Sequence, residues 1–178
     1  MGKEVEEQTR IFRIMKEAIP YLVIIIVVAL IRTFIMTPVR VNGISMQPTL
    51  KEGEILILNK TKRNYNRFDV VVVTLNNSKI IKRVIGLPGE VISYRDCQLY
   101  INGAPVEDFI TECITDDFSL ENLYSYLTIP ADHYFVMGDN RDESSDSRDI
   151  RIGLLTKDQL EGTAVFRIYP FNRIGRVR

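Results

Sequence analysis

The run Ser45-Met46-Gln47-Pro48-Thr49-Leu50 sets a hydroxyl in a turn-rich stretch a few residues after the only long hydrophobic segment of the chain. A serine becomes a strong nucleophile only when a neighbouring base takes its proton. Two residues are candidates for that base. His133, the sole histidine, is followed by the apolar run Tyr134-Phe135-Val136-Met137, which suits a strand end better than a catalytic position. Lys82 lies in Lys79-Ile80-Ile81-Lys82-Arg83-Val84-Ile85, beside Ile80 and Ile81. Strand alternation directs its neighbour Arg83 to the opposite face. A lysine acts as a base when burial lowers its pKa enough to leave the amine neutral near pH 7. A solvated strand face is the bland alternative for Lys82, but it remains the better base of the two.

A third segment would have to hold that amine. Gly138-Asp139-Asn140-Arg141-Asp142-Glu143-Ser144-Ser145-Asp146-Ser147-Arg148 packs dense charge directly behind an apolar strand. Asp146 and Arg148 are close enough in sequence to pair, and the Ser144 hydroxyl is able to orient a neutral amine. The rival reading is a hard-cation loop built from Asp139, Asn140, Asp142 and Asp146. The calcium-loop pattern D-x-[DN]-x-[DN]-G fails here because the glycine precedes the acidic run, and no flanking helices are expected. No metal and no cofactor are therefore assigned.

These residues need elements to position them. The apolar stretch 18–36 is interrupted only by Arg32 and is long enough to span a bilayer as a helix, with Arg32 reaching toward the headgroups and Pro20 in the first turn. A cleaved leader is the alternative, but the stretch ends in Thr33-Phe34-Ile35-Met36-Thr37 without a small-x-small cleavage site. Residues 1–17 read as a cytoplasmic tail. Lys3, Arg10, Arg13 and Lys16 precede the span and Arg32, Arg40 and Lys51 follow it, a slight bias that places Ser45 outside.

From Val39 onward the pattern is of short β-branched runs bounded by turn residues, so residues 37–178 are expected to form a mainly β domain of antiparallel sheet. Val70-Val71-Val72-Val73 lacks polar alternation and reads as a strand buried on both faces. Asn102-Gly103 is a strong hairpin signal. Residues 95–131 read as a short insertion, aperiodic from Pro105 to Pro130, and the stretch from Thr156 to Glu161 as a helical turn. Cys97 and Cys113 lack metal or redox spacing; outside the cell they could pair, and neither is placed as a nucleophile. Lysine plus arginine equals aspartate plus glutamate, 23 each, so no nucleic-acid partner is indicated.

Taken in order behind one anchor, the Ser45 run, the strand at Asp69-Val70-Val71, the run from Lys82 to Glu90 and the charged segment 138–148 resemble the type I signal peptidase family. The resemblance implies Ser45 as nucleophile and Lys82 as general base, with Ser144 orienting the amine, Asp146 and Arg148 bracing the site, and Gly138 and Asp139 structural. It implies a bacterial plasma-membrane, single-pass serine endopeptidase acting outside the membrane after Ala-x-Ala sites of preprotein signal peptides. The lipid bilayer is its other partner, and a monomer is expected. The substrate would enter as a strand between Val39-Arg40-Val41 and Ile80-Ile81-Lys82, with Val39, Val41, Met46, Leu50 and Ile81 lining shallow pockets. Some members carry a serine two residues before the nucleophile as an oxyanion donor. Gly43 stands there in this chain, which leaves the Ser45 backbone N–H for the oxyanion. A self-cleaving repressor-type Ser–Lys peptidase and an inactive membrane-tethered β-domain are the alternatives.

Overall fold

The computed structural model describes the backbone of residues 2–62, 64–75, 78–110 and 112–177, with side chains from Arg13 onward. The side chains of Lys3 and Arg10, counted above for orientation, lie outside the described residues. The chain divides into two units, Met1–Thr37 and Pro38–Arg178.

The first unit is built on helix α1 (Gly2–Phe34), whose segment Arg13–Phe34 has a mean hydropathy of 2.4 and the length and composition to cross a membrane. The helix begins well before the apolar stretch, so Pro20 is inside it rather than in its first turn. The cause is local. The preceding polar residues are rich in glutamate, lysine, arginine and glutamine, all good helix formers, and they carry the helix N-terminally. At the other end Met36, the last residue of the expected span, already belongs to a strand.

The second unit follows the period-2 reading. Its strands are β1 (Met36–Arg40), β2 (Ile55–Asn59), β3 (Val70–Leu75), β4 (Ser78–Gly86), β5 (Ile92–Arg95), β6 (Gln98–Ile101), β7 (Ala104–Val106) and β8 (Phe118–Ser119). After the single-turn helix α2 (Leu120–Tyr124) come β9 (His133–Met137), β10 (Leu155–Thr156), β11 (Leu160–Tyr169) and β12 (Gly175–Arg176). One sheet runs β1-β2-β11-β3-β4-β9-β10 with β12 against β11, and a second runs β7-β6-β5-β8. Each pairing from β2 through β10 is antiparallel.

The core explains the order. Val70 and Val72 of β3 join one apolar cluster and Val71 and Val73 another, so this unbroken valine run is covered on both faces. Val39 of β1 and Ile81 of β4 have three strands between them in the sheet, yet both pack in the cluster that holds Met46 and Leu50. The first five strands of the sheet order therefore wrap around one shared core. The stretch 95–131 is more ordered than a loop, because it contributes β6, β7 and β8 to the second sheet. The Asn102-Gly103 turn, both residues at positive φ, closes the hairpin between β6 and β7. Near the C-terminus a 3₁₀ turn at Lys157–Gln159 occupies the expected helical position, with Thr156 and Gln159 capping each other.

Candidate active site

Lys82 stands opposite Val71 in the pairing of β3 and β4, and Arg83 stands opposite Val70. Directly paired residues share a sheet face, so the two cations point to opposite sides as alternation requires. Neither side is solvent. Lys82 is only 3 % exposed, and its Nζ lies 2.9 Å from Ser144 Oγ. Burial pushes the Lys82 pKa down to about 8. The Asp146 charge opposes that fall, Arg148 adds to it, and Asp139 opposes it weakly. An amine that loses its proton near pH 8 has the property a base needs.

The charged segment is the device that holds this amine. Asp146 is fully buried and accepts from Arg148 Nε and Nη2, each at 2.9 Å, and from the Gly138 N–H at 2.9 Å. Burial alone would raise its pKa. The two-pronged Arg148 contact, the Gly138 N–H and a bond from the Ser144 side chain outweigh that and hold the carboxyl below its ordinary value. Asp146 thus stays ionised and accepts a hydrogen bond from the Ser144 hydroxyl, which leaves the Ser144 oxygen facing Lys82. A second aspartate of the segment works on the opposite face. Asp139 receives Arg83 Nε at 2.8 Å and Nη2 at 2.7 Å, a pair removed from solvent, while Arg83 Nη1 donates to the Phe68 carbonyl.

Ser45 reaches this cluster through its backbone. Its carbonyl accepts from the Asn140 N–H at 3.0 Å. A Cβ added at Gly138 would lie 2.4 Å from that carbonyl oxygen and 2.2 Å from Ser144 Oγ, so only glycine lets the turn and the loop approach so closely. The turn itself is pinned at Met46 and Leu50, which are 2 % and 1 % exposed, and Leu50 N donates to the Met46 carbonyl. Two residues upstream Gly43 sits at φ +83°, a left-handed conformation that L side chains rarely adopt. That backbone favours the glycine found here.

Val41 and Ile81 share the apolar cluster with Met46 and Leu50, and Val39 packs at its margin half-buried. Arg40, between the two valines, is exposed. β1 ends its sheet, and β9 pairs β4 only from Arg83 onward, so among the described residues the outer edges of β1 and of 78–82 carry no strand partner. His133 takes no part: its Nδ1 meets the Ala131 carbonyl at 2.8 Å and its backbone pairs with Thr156. Cys97 and Cys113 are joined as a disulfide, with Cα atoms 5.0 Å apart.

Three contacts escaped sequence reasoning. The Arg83–Asp139 pair had one available signal, an arginine beside the proposed base in a strand covered on both faces. The Asn140 N–H to Ser45 bond is backbone chemistry, which residue type does not encode. Asp108, which pairs with Arg141 through Nη1 at 2.6 Å and Nη2 at 2.8 Å, lies in the aperiodic insertion and had no signal.

Known proteins are similar to this chain in sequence, and one of them in solved structure. A signal peptidase I of Bacillus amyloliquefaciens is 36 % identical over 100 % of both chains. Signal peptidase I S of Bacillus subtilis strain 168 is 40 % identical over 86 % of this chain and 88 % of its own. A crystal structure of a signal peptidase I from Enterococcus faecalis V583 aligns with a TM-score of 0.52 at 38 % identity, covering 56 % of this chain and 96 % of that one. The family described as signal peptidase, peptidase S26, matches residues 14–169. The chain belongs to that family and is a serine peptidase of the signal peptidase I type, an enzyme that removes signal peptides.

Proposed function

We propose that cleavage proceeds through a Ser–Lys dyad and an acyl-enzyme. Ser45 Oγ attacks the scissile carbonyl while Lys82 Nζ takes its proton. Lys82 then passes that proton to the departing amine, draws another from the water that attacks the acyl group, and returns it to Ser45 Oγ as the ester bond breaks. Ser144 aims the amine, Asp146 with Arg148 braces Ser144, and Gly138 and Asp139 hold the segment. The Ser45 N–H faces the developing oxyanion. The observation that carries the reading is the buried amine of Lys82, bound to a Ser144 hydroxyl that meets the same glycine as the Ser45 carbonyl.

The substrate adds as a strand between the unpartnered edges of β1 and β4. Met46, Leu50 and Val41 are closed off beneath, and the less buried Val39 and Ile81 form the rim, which leaves room only for small side chains and favours Ala-x-Ala sites. The apolar helix anchors the enzyme as a single pass in the bacterial plasma membrane, with residues 1–17 inside and 37–178 on the extracytoplasmic face. Confinement of enzyme and substrate to one membrane raises their effective concentration. The enzyme acts as a monomer and uses no metal or cofactor.

The test is cleavage of a preprotein with an Ala-x-Ala site by wild type, Ser45→Ala and Lys82→Ala. Both variants are expected to lose at least about 10³-fold in kcat. Wild-type kcat/KM is expected to rise with pH and level off above about 8, because only the neutral amine accepts a proton. Full activity in both variants would sink the dyad, and so would a wild-type profile that rises only near the ordinary lysine pKa.

A further inference from the structure

The stretch between β7 and β8 grips the catalytic segment from outside. Arg141 is 1 % exposed on its side chain, and its counter-ion is Asp108 at 6 %, with Thr115 Oγ1 accepting a further bond from Nη1 at 3.2 Å. The neighbouring Phe109 ring centre lies 3.5 Å from the Arg83 guanidinium carbon. The Cys97–Cys113 bridge ties this stretch back to the turn between β5 and β6. None of Asp108, Thr115 and the cysteines belongs to the segments that carry the resemblance to signal peptidases.

Arg141 passes the constraint inward. Its Nε donates to the Gly138 carbonyl at 3.1 Å, and its own carbonyl accepts from Arg148 Nη2 at 2.7 Å. Arg148 holds Asp146, Asp146 takes the Ser144 hydroxyl, and Ser144 meets Lys82. Residues 138–148 form neither helix nor strand, so no regular backbone ladder keeps them in place. A buried guanidinium without its carboxylate is strongly unfavourable and would move toward water, taking the segment with it.

We propose that Asp108, tethered by the Cys97–Cys113 bridge, is a positioning residue for peptide cleavage: it fixes Arg141 and through it the segment that presents Ser144 to Lys82. The inference rests on Lys82 being the base.

The test uses the full chain in detergent micelles, cleaving a preprotein across a pH series. Asp108→Asn, Asp108→Glu, the double variant Cys97→Ser/Cys113→Ser, and wild type with dithiothreitol are compared. The reductant supplies two electrons and two protons to give two thiols, and is itself oxidised to a cyclic disulfide. For Asp108→Asn, the double cysteine variant and the reduced enzyme, kcat is expected to fall about tenfold or more with KM within about twofold, as for any misplaced catalytic group. Asp108→Glu is expected to recover part of the loss.

The acid limb of the profile decides the mechanism. The charges facing Lys82 are Asp146, Asp139 and Arg148, and burial is the main cause of its lowered pKa. A loosened segment admits water, so the limb moves to higher pH. Mere loss of a negative charge would move it to lower pH, and that shift, or an unchanged limb and kcat, overturns the proposal. If Asp108→Asn does not fold, the double cysteine variant and the reduced enzyme decide by the same outcomes. Amide hydrogen exchange across 138–148 reads the clamp whichever residue is the base: faster exchange in the variants supports it, and unchanged exchange overturns it. Loss of the dyad reading is distinct, since it shows as activity retained in Lys82→Ala or as a wild-type profile that rises only near the ordinary lysine pKa.

Discussion

Ser45 sits in a turn whose neighbours Met46 and Leu50 are sunk in an apolar cluster, whereas Ser144 sits in a segment whose fixed points are guanidinium–carboxylate pairs. The two regions do one job, placing a hydroxyl, by different physics. Apolar anchoring is non-directional and roughly proportional to buried area, so a lost methylene loosens it by degrees. Paired buried charges are directional, and removing one partner leaves the other desolvated and unpaired. The turn is therefore expected to fail gradually and the charged segment abruptly. Gly138 is where the two meet, and a change there is expected to cost activity heavily while leaving the dyad residues in place. Gly138→Ala forces a Cβ into the Ser45 carbonyl oxygen and Ser144 Oγ at once. It is expected to cost about 10²-fold or more in kcat and about 1–3 kcal/mol in stability. Wild-type kcat in this variant would show that the close approach is not needed for catalysis.

A matched pair of substitutions separates the two kinds of anchoring. Asp146→Asn is expected to lower stability by about 3 kcal/mol, since Arg148 loses its counter-ion and the Gly138 N–H its charged acceptor. Its acid limb is expected to move to lower pH. The Asp146 charge raises the Lys82 pKa, so its removal leaves burial and Arg148 less opposed. Leu50→Ala is expected to cost a comparable amount, about 2–5 kcal/mol, through the cavity it leaves. Its acid limb should stay in place, because no charge near Lys82 changes. Equal shifts of the limb in both variants would erase the distinction. The native pairing of Asp146 also has a consequence in acid. A carboxyl held below its ordinary pKa contributes stability above that ordinary value, and the contribution is lost as pH falls through the lowered one.

The same division decides what could be read from the chain. The apolar anchors were legible because β-branched runs, a valine strand and a hairpin dipeptide report their own burial: β3, β4 and the Asn102-Gly103 turn appear where the pattern put them. Lys82 facing Ser144 was expected from the family resemblance, and Asp146 pairing with Arg148 from residue types close in sequence. Helix α1 was read short at its N-terminal side because polar helix formers carry no apolar stripe to reveal where it starts. Two of the three contacts that were missed join distant segments by charge. Asp108 and Arg141 are 33 residues apart, and nothing local distinguishes that aspartate from a solvated one. A two-residue strand such as β8 is likewise too short to show a period.

Gly43→Ser is the smallest expected effect and tests the nucleophile's turn from the other direction. A hydroxyl at this position looks like a gain of an oxyanion donor, which elsewhere is worth about 10²-fold. The backbone argues otherwise. Gly43 lies at φ +83°, and a non-glycine residue there costs on the order of 1–2 kcal/mol. Nothing lies within 4 Å of an added Cβ, so the cost is conformational rather than a clash, and the turn is free to relax by shifting Ser45. The expected outcome is a Tm lower by a few degrees and a kcat within about threefold of wild type. An acceleration of tenfold or more would mean that the turn adapts to present the new hydroxyl. The apolar anchors Met46 and Leu50 would then hold Ser45 while its upstream backbone rearranges, a tolerance that the charged segment around Ser144 does not share.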